Sequence, residues 1–472
     1  MLVKYVLIFL LCALSACSLY DDVPDFDPDD GAPCEPFEDV PGPVYLCADG
    51  QHKGIVFVDA NQDGTGTKSQ PVKTLKAALE KVRQDEQYRA IFIAGSPSFE
   101  GSFRFTDGVS IVGGFDESFA RNNDNKPTLQ NTSVLDDRNQ RVVVTTEPLT
   151  QTVLYQNLNI FSADNPDGAS VGMVIDQAVL AQLINVSISS GKAGKGQLGE
   201  DGQVGSSGAD GNVGGMPSRR DGGVAAPSPM CMGAQAGDGG KGEAKSNGQT
   251  SPGSPGQNSA SGTFGGSLDM NGVAGVKGMD GQPGEDAKEG TFDALGYVDG
   301  TPATEGQPGA FGQGGGGGGG GKATGSDGTA GGGGAGGNGG CAGLGGKPGT
   351  SGYPSVALVL IQSTVTFDEQ CALSSSDGGD AGIGGLGGTG GLGGKGGAGA
   401  QGVGESTQGA MGGDGGDGGA GGKGGNGLPG LSTAIVCQQS QITLNNAALS
   451  STTWGKPATG DAQMAQTSIG CN

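Results

Sequence analysis

The sequence predicts an all-β chain in which short stacked strands build a solenoid, interrupted by glycine-rich insertions that pack as polyglycine II bundles. Three observations carry this expectation. Short apolar runs recur along residues 54–190, and only one stretch between them has a helical period. Two later apolar islands repeat the last of these runs at fixed offsets. Of the 102 glycines, all but 13 lie at or beyond Gly191, so the chain has two compositions.

In "GIVFVDANQDGTGTKSQPVKTLKAALEKV" a strand over Ile55–Val58 leads through a polar turn to a helix over about Val72 to Gln84. Leu75, Ala78, Leu79 and Val82 fall at i, i+3, i+4 and i+7 and make one apolar face. "AIFIAG", "EGSFRFTDGVSIVGGFDESF", "RVVVTT", "TVLYQNLNIFSA" and "GMVIDQAVLAQLINVSIS" follow as short strands. The island Ala357 to Ser376 repeats Gly172 to Gly191 at an offset of 185, setting Met173 against Leu358, Val174 against Val359, Leu180 against Val365 and Ile188 against Leu373. The island Ala434 to Ser451 repeats it again at an offset of 77, setting Val436 against Val359, Ser440 against Ser363, Ile442 against Val365 and Leu444 against Phe367. A single rung cannot bury its apolar face alone, so these islands are expected to stack as neighbours.

The tracts between them are then insertions over 191–354 and 376–431, leaving and re-entering at one edge. In "GIGGLGGTGGLGGKGGAG" the variable residues Ile383, Leu386, Thr389, Leu392, Lys395 and Ala398 recur every third position. The return run carries Asp414, Asp417, Ala420, Lys423 and Asn426 at the same period. A period of three matches a helix with no internal hydrogen bonds, whose peptide groups must bond to neighbouring chains or to water. The apolar and polar ridges suggest an inner and an outer segment. "GQGGGGGGGGK" has no ridge and reads as a central strand or a hinge.

The residues "VFVDANQDGTGT…PVKTLKAAL", "AIFIAG" and "VSIVGGFDESF" resemble the opening of right-handed parallel β-helix domains of the pectin-lyase-like class. The chain is similar, more narrowly, to glycine-rich, PE-PGRS-like bacterial lipoproteins. That resemblance covers residues 54–190 by motif and the remainder by composition. It implies a right-handed parallel β-helix whose helix caps an open end.

"MLVKYVLIFLLCALSAC" has the form of an export signal, too short to span a membrane. Its end resembles a bacterial lipobox, which makes Cys17 the lipidated residue and Ser18 a residue compatible with outer-membrane sorting. The expected organisation is a signal over 1–16, an acidic tether over 17–50, a head with capping helix over 51–190, an insertion over 191–354, a rung over 355–375, an insertion over 376–431, and terminal rungs and cap over 432–472. The expected location is the outer membrane, lipid-anchored on its periplasmic face or at the cell surface.

The net charge of −23 and the lack of a basic stripe exclude nucleic acid as the expected partner. The membrane, through lipid, and glycans or other envelope components are the expected partners. Cys34 and Cys47 are candidates for one disulfide and Cys231 and Cys341 for another. One further thiol is left unpaired or intermolecular.

Catalytic motifs are weak. His52 is the only histidine. "GASVG" is followed by a strand where a nucleophile elbow needs a helix. Asp59, Asn61 and Asp63 match the first half of a calcium loop, but Gln70 stands where the closing Glu belongs, so calcium is the one candidate cation and a capped turn the alternative. The expectation is a non-enzymatic structural or adhesive protein. The alternative is a carbohydrate-active lyase or hydrolase using Asp176 or Asp368.

Overall fold

The computed structural model describes residues 34–48, 52–215, 220–227, 234–246, 249–251, 254, 256–444, 447–448 and 465–471. Cys17 and Cys231 lie outside the described residues.

The strands, in chain order, are β1 (Cys34–Pro36), β2 (Tyr45–Cys47), β3 (Ile55–Val58), β4 (Ala90–Ala94), β5 (Ser98–Glu100), β6 (Phe103–Phe105), β7 (Ser110–Phe115), β8 (Thr128–Asn131), β9 (Arg141–Thr146), β10 (Val153–Ser162), β11 (Ser170–Asp176) and β12 (Ala181–Ser190). Beyond them come β13 (Ala244–Ser246), β14 (Gln249–Ser251), β15 (Thr291–Asp293), β16 (Gly296–Val298), β17 (Ser355–Ile361), β18 (Thr364–Phe367), β19 (Ala372–Ser374), β20 (Ser432–Gln438), β21 (Gln441–Leu444), β22 (Ala447–Ala448) and β23 (Ala465–Ile469). The one helix among the described residues is α1 (Leu75–Gln84).

A closed right-handed parallel β-helix is not formed, which corrects the sequence expectation. Seventeen of the described strands divide between an eleven-stranded and a six-stranded sheet, both dominated by parallel pairing, and the other six form the antiparallel pairs β1–β2, β13–β14 and β15–β16. The eleven-stranded sheet is mixed, ending in the antiparallel pair β21–β22. The physical reason lies in β10 and β12, ten residues each. Asn157 and Asn185 adopt left-handed φ of 53° and 54° within them. Each strand bends there without leaving its ladder, so β10 pairs with β7 on one side of the bend and with β8 on the other. The result is two broad sheets with no closed coil.

The repeat offsets reappear as pairing register. Met173 pairs with Leu358 and Val174 with Val359; Val359 pairs with Val436 and Val365 with Ile442. One pairing differs: Val365 pairs with Ala181, not Leu180. The register returns to 185 where Ile188 meets Leu373. Gln177 and Gln362, at the preceding corner, both have φ of 47°.

Helix α1 begins three residues later than expected because Val72 extends the β3 ladder: its N–H donates to Phe57 O and its carbonyl accepts from Asp59 N–H. Thr74 then caps the helix through Ala77 N–H. Its face of Leu75, Ala78, Leu79 and Val82 closes one core cluster with Val56, Ile91, Tyr155, Met173 and Leu358. A second cluster, with Phe57, Phe92, Phe115 and Phe119, lies beneath Val40 and Val44 of the β1–β2 hairpin segment. The Cys34–Cys47 disulfide closes that hairpin.

Candidate functional site

Both long insertions leave and return at one corner built from serines. Ser162 ends β10 and Ser170 begins β11, with their hydroxyls 2.9 Å apart. The next rung has Ser190 and Ser355, again 2.9 Å apart, although the whole 191–354 insertion lies between them. Ser355 Oγ also donates to Gly191 O and accepts from Ser376 N–H. Ser432 Oγ donates to Ser376 O, which closes the second insertion. Fixing both ends removes the closure entropy that a free loop would oppose to ordering. That matters here because ordering one residue costs about 1–2 kcal/mol, while one backbone bond returns only about 0.5–1.5 kcal/mol.

Between these corners the glycine segments hydrogen-bond side by side with a three-residue period. Gly196, Gly199, Gly202 and Gly205 donate to the carbonyls of Asp380, Ile383, Leu386 and Thr389. Gly412, Gly415 and Gly418 donate to Gly397, Gly394 and Gly391. Gly275, Gly278 and Gly281 donate to Asp414, Asp417 and Ala420. The segment 331–352 has hydrogen-bonded neighbours within 197–212, at 223, and within 234–240, 306–321, 382–400 and 407–428. The segments therefore form a layered lattice joined through the backbone.

The number of glycines per triplet reports how many sides of a segment are covered. Segment 196–214 has one per triplet and lies at an edge, with its other two ridges exposed. Segments 379–400 and 409–430 have two, leaving one ridge outward. The run Gly314–Gly321 has no ridge because it is interior. A Cβ at Gly315 would lie 2.0 Å from Gly413 O, at Gly316 2.0 Å from Phe264 O, and at Gly317 1.8 Å from Asp238 O. These are three different neighbours, so every side is closed and no side chain fits.

Segments 196–214, 379–400, 409–430 and 272–287 together form one face. Contrary to the inner-and-outer reading, both ridges of the second insertion point outward on it. Ile383 is 60% exposed, Leu386 63% and Leu392 66%. Leu198 and Val204 stand on the adjoining ridge and are equally open. The other half of the face is polar, with Asp414, Asp417, Lys423, Lys277 and Asp280. Carboxylates clip the outward amides of neighbouring segments: Asp201 accepts from Leu386 N–H, Asp210 from Lys395 N–H, Asp417 from Gly393 N–H and Asp280 from Ala420 N–H. The Gly396 N–H, then the Lys395 ammonium, hold the Asp414 carboxyl below its usual range. Asp280 is lowered first by the Ala420 N–H and then by Lys277. This face was not legible as a face in the sequence. The signal that could have found it is the glycine count per triplet.

A hairpin, β15–β16, returns from the first insertion to the six-stranded sheet. Arg138 grips Asp293 through two bonds of 2.8 and 2.7 Å, and Gln140 exchanges two bonds with the Tyr297 backbone. Between this hairpin, the lattice end and β20 lies a cavity of about 430 Å³, lined by Phe292, Tyr297, Pro354, Leu431, Val436 and Gln438.

The residues singled out from the sequence are dispersed. Asp59 Oδ1 accepts from Asn61 N–H and its Oδ2 from Gln62 Nε2. That is a capped turn, with Asp63 exposed. Among the described residues no group of three or more His, Cys, Asp or Glu side chains is placed to hold a metal ion. His52 Nδ1 accepts from Cys47 N–H. Asp176, on the six-stranded sheet, is raised by burial and then by Asp293. Asp368, on the other sheet, clasps a turn by accepting from the N–H groups of Asn185 and Gln370. Asp176 thus ends a strand of the six-stranded sheet and Asp368 follows one of the eleven-stranded sheet. Cys341 is disulfide-bonded; Cys437 pairs with Cys471; Cys371 is the buried free thiol among the described residues. No helix among the described residues is long and apolar enough to cross a membrane. Comparison with protein-family models, with curated proteins and with solved structures found no match to this chain.

Proposed function

We propose that this chain is a non-enzymatic, lipid-anchored protein of the outer membrane with a structural or adhesive role in the envelope. One observation supports this reading most: a wide face of four hydrogen-bonded segments carries side chains at a fixed three-residue repeat. A surface of that kind suits a repetitive partner better than a single small molecule. Its polar half offers carboxylate, amide and ammonium groups at regular intervals, which matches the hydroxyls of an envelope glycan. The anchor at Cys17 rests on the lipobox-like sequence. The lattice leaves the eleven-stranded sheet after β12, four ladder steps or about 19 Å from β3. That spacing holds the face away from the tethered end.

The test is retention on isolated peptidoglycan sacculi, with the full chain partitioned between membrane and soluble fractions. Cys17→Ser is expected to shift the protein out of the membrane fraction. Lys277→Ala with Lys423→Ala is expected to weaken retention on sacculi severalfold. Retention that ignores the lattice substitutions contradicts the reading. So does release of sugar from uronate polymers that is lost in Asp176→Asn or Asp368→Asn, the outcome of the enzyme alternative.

A further inference from the structure

The apolar half of the same face has a pattern that identifies its own partner. We propose that it docks against a second copy of this chain, face to face, about a two-fold axis perpendicular to the segments. The inference rests on the adhesive reading above and names one partner within it.

Ridges spaced every third residue, about 9 Å apart, stay in step over their full length only with another surface of that repeat. A second copy supplies it.

The ridge Asp380, Ile383, Leu386, Thr389, Leu392, Lys395 is evenly spaced. A two-fold axis midway between Leu386 and Thr389 sets Asp380 opposite Lys395 of the second copy and Ile383 opposite Leu392. The adjoining ridge runs parallel and in step, since Gly199 donates to Ile383 O and Gly205 to Thr389 O. The same axis therefore sets Lys195 opposite Asp210. Within one copy Lys195 already pairs with Asp380 at 2.6 Å, and the Lys395 ammonium lies 3.2 Å from Asp414. Docking thus closes an alternating cluster of Lys195, Asp380, Lys395 and Asp210 at each end of a centre formed by Ile383, Leu386, Thr389, Leu392, Leu198 and Val204, in which Asp201 keeps its bond from the Leu386 N–H. A self-complementary patch of this kind is what an isologous dimer requires.

Eighteen residues at about 3.1 Å each, across two ridges about 10 Å wide, give roughly 1,100 Å² of total buried surface. That clears the roughly 1,000 Å² expected of a specific interface. The high net negative charge opposes association at low ionic strength, and salt screens it.

The experiment is sedimentation velocity on the chain carrying Cys17→Ser, so that no lipid drives association, across protein concentration and at moderate salt. The expected result is a reversible monomer–dimer equilibrium. Leu386→Asp with Leu392→Asp is expected to shift it at least tenfold towards monomer. Lys395→Glu alone weakens the dimer, because it sets two carboxylates against each other across the axis. Adding Asp380→Lys restores it, since the facing charges are then opposite again with their signs exchanged. A structural defect would not be rescued by the second charge change. Wild-type protein that is monomeric at its solubility limit overturns the proposal. So does a dimer indifferent to both sets of substitutions. If monomeric protein still binds sacculi, the homotypic contact fails and the adhesive reading stands; loss of sacculus binding with an intact dimer gives the reverse.

Discussion

The parallel sheets and the glycine lattice are two solutions to one problem, satisfying every buried peptide group. The sheets do it beneath a core of Val, Ile, Leu and Phe, where burial contributes about 25 cal/mol per Å² of apolar surface. The lattice does it almost without side chains. Its cohesion comes from backbone bonds, and its order depends on fixed ends at the serine corner. The contrast teaches that the sheets are sensitive to volume lost from side chains, whereas the lattice is sensitive to any volume added to its backbone.

The largest expected effect follows directly. Gly317→Ala places a Cβ at 1.8 Å from Asp238 O, with neighbouring backbone on all sides. The cost is expected to exceed about 3 kcal/mol, above the ordinary range for overpacking. Chemical denaturation should show the lattice losing protection while the sheets persist. Removing one methyl from the sheets is a milder change: Ile91→Val, in a fully buried position, is expected to cost about 0.5–1.5 kcal/mol. Equal effects from the two substitutions would erase the distinction between the regions.

Next in size is the sheet core itself. Leu358→Ala, between β11 and β20, is expected to cost about 2–5 kcal/mol by unfolding titration. The Cys437–Cys471 disulfide, whose ends are 34 positions apart, is expected to contribute about 2–4 kcal/mol, read as the difference between oxidised protein and the double Cys→Ala variant.

How far the sequence disclosed this arrangement differs between the regions. Pairing register in the sheets was readable because apolar positions are in phase at offsets of 185 and 77. The slip that pairs Val365 with Ala181 was not readable, since it depends on corner geometry. Nor was the absence of a closed coil, which turns on two asparagines taking left-handed φ inside long strands. In the lattice the three-residue period was plain, but which segment neighbours which was not. Backbone bonds between glycines carry no sequence signature beyond composition, and only the glycine count per triplet separates edge from interior. The sites were least legible. Asp59, Asp176 and Asp368 drew attention as carboxylates, and the structure uses the first and last to hold turns.

Smaller effects sharpen the same comparison. The lattice carboxylates give it an acid sensitivity of the kind that Glu100 and Asp116 give the strand ends of the sheets. Asp414 and Asp280 are held below their usual range by amide donors. Lowered folded-state values mean stability that is present above the unfolded carboxylate value, near pH 4, and is lost as pH falls through the lower folded values. Because Asp414 is largely exposed, the contribution is expected to stay under about 1 kcal/mol. Asp414→Asn should remove the pH-dependent part and keep an acceptor for Gly396 N–H. A thermal midpoint unchanged between pH 6 and the acid limb would argue against the clips. The smallest effect is chemical. Burial pushes the Cys371 thiol up to about 12, and Val186 N–H and Leu183 O hold it in place. It should resist a thiol reagent at pH 8 while the sheets are folded and react on unfolding.

The most direct measurement is residue-resolved amide hydrogen exchange across both regions of the intact chain. Gly334, Gly337 and Gly340 donate to Ala410, Gly413 and Gly416 in the lattice interior. Their amides should exchange slowly and together, on a timescale comparable with β11 and β17. Exchange of those glycines at free-chain rates, while β11 and β17 stay protected, would contradict a lattice held by its own backbone.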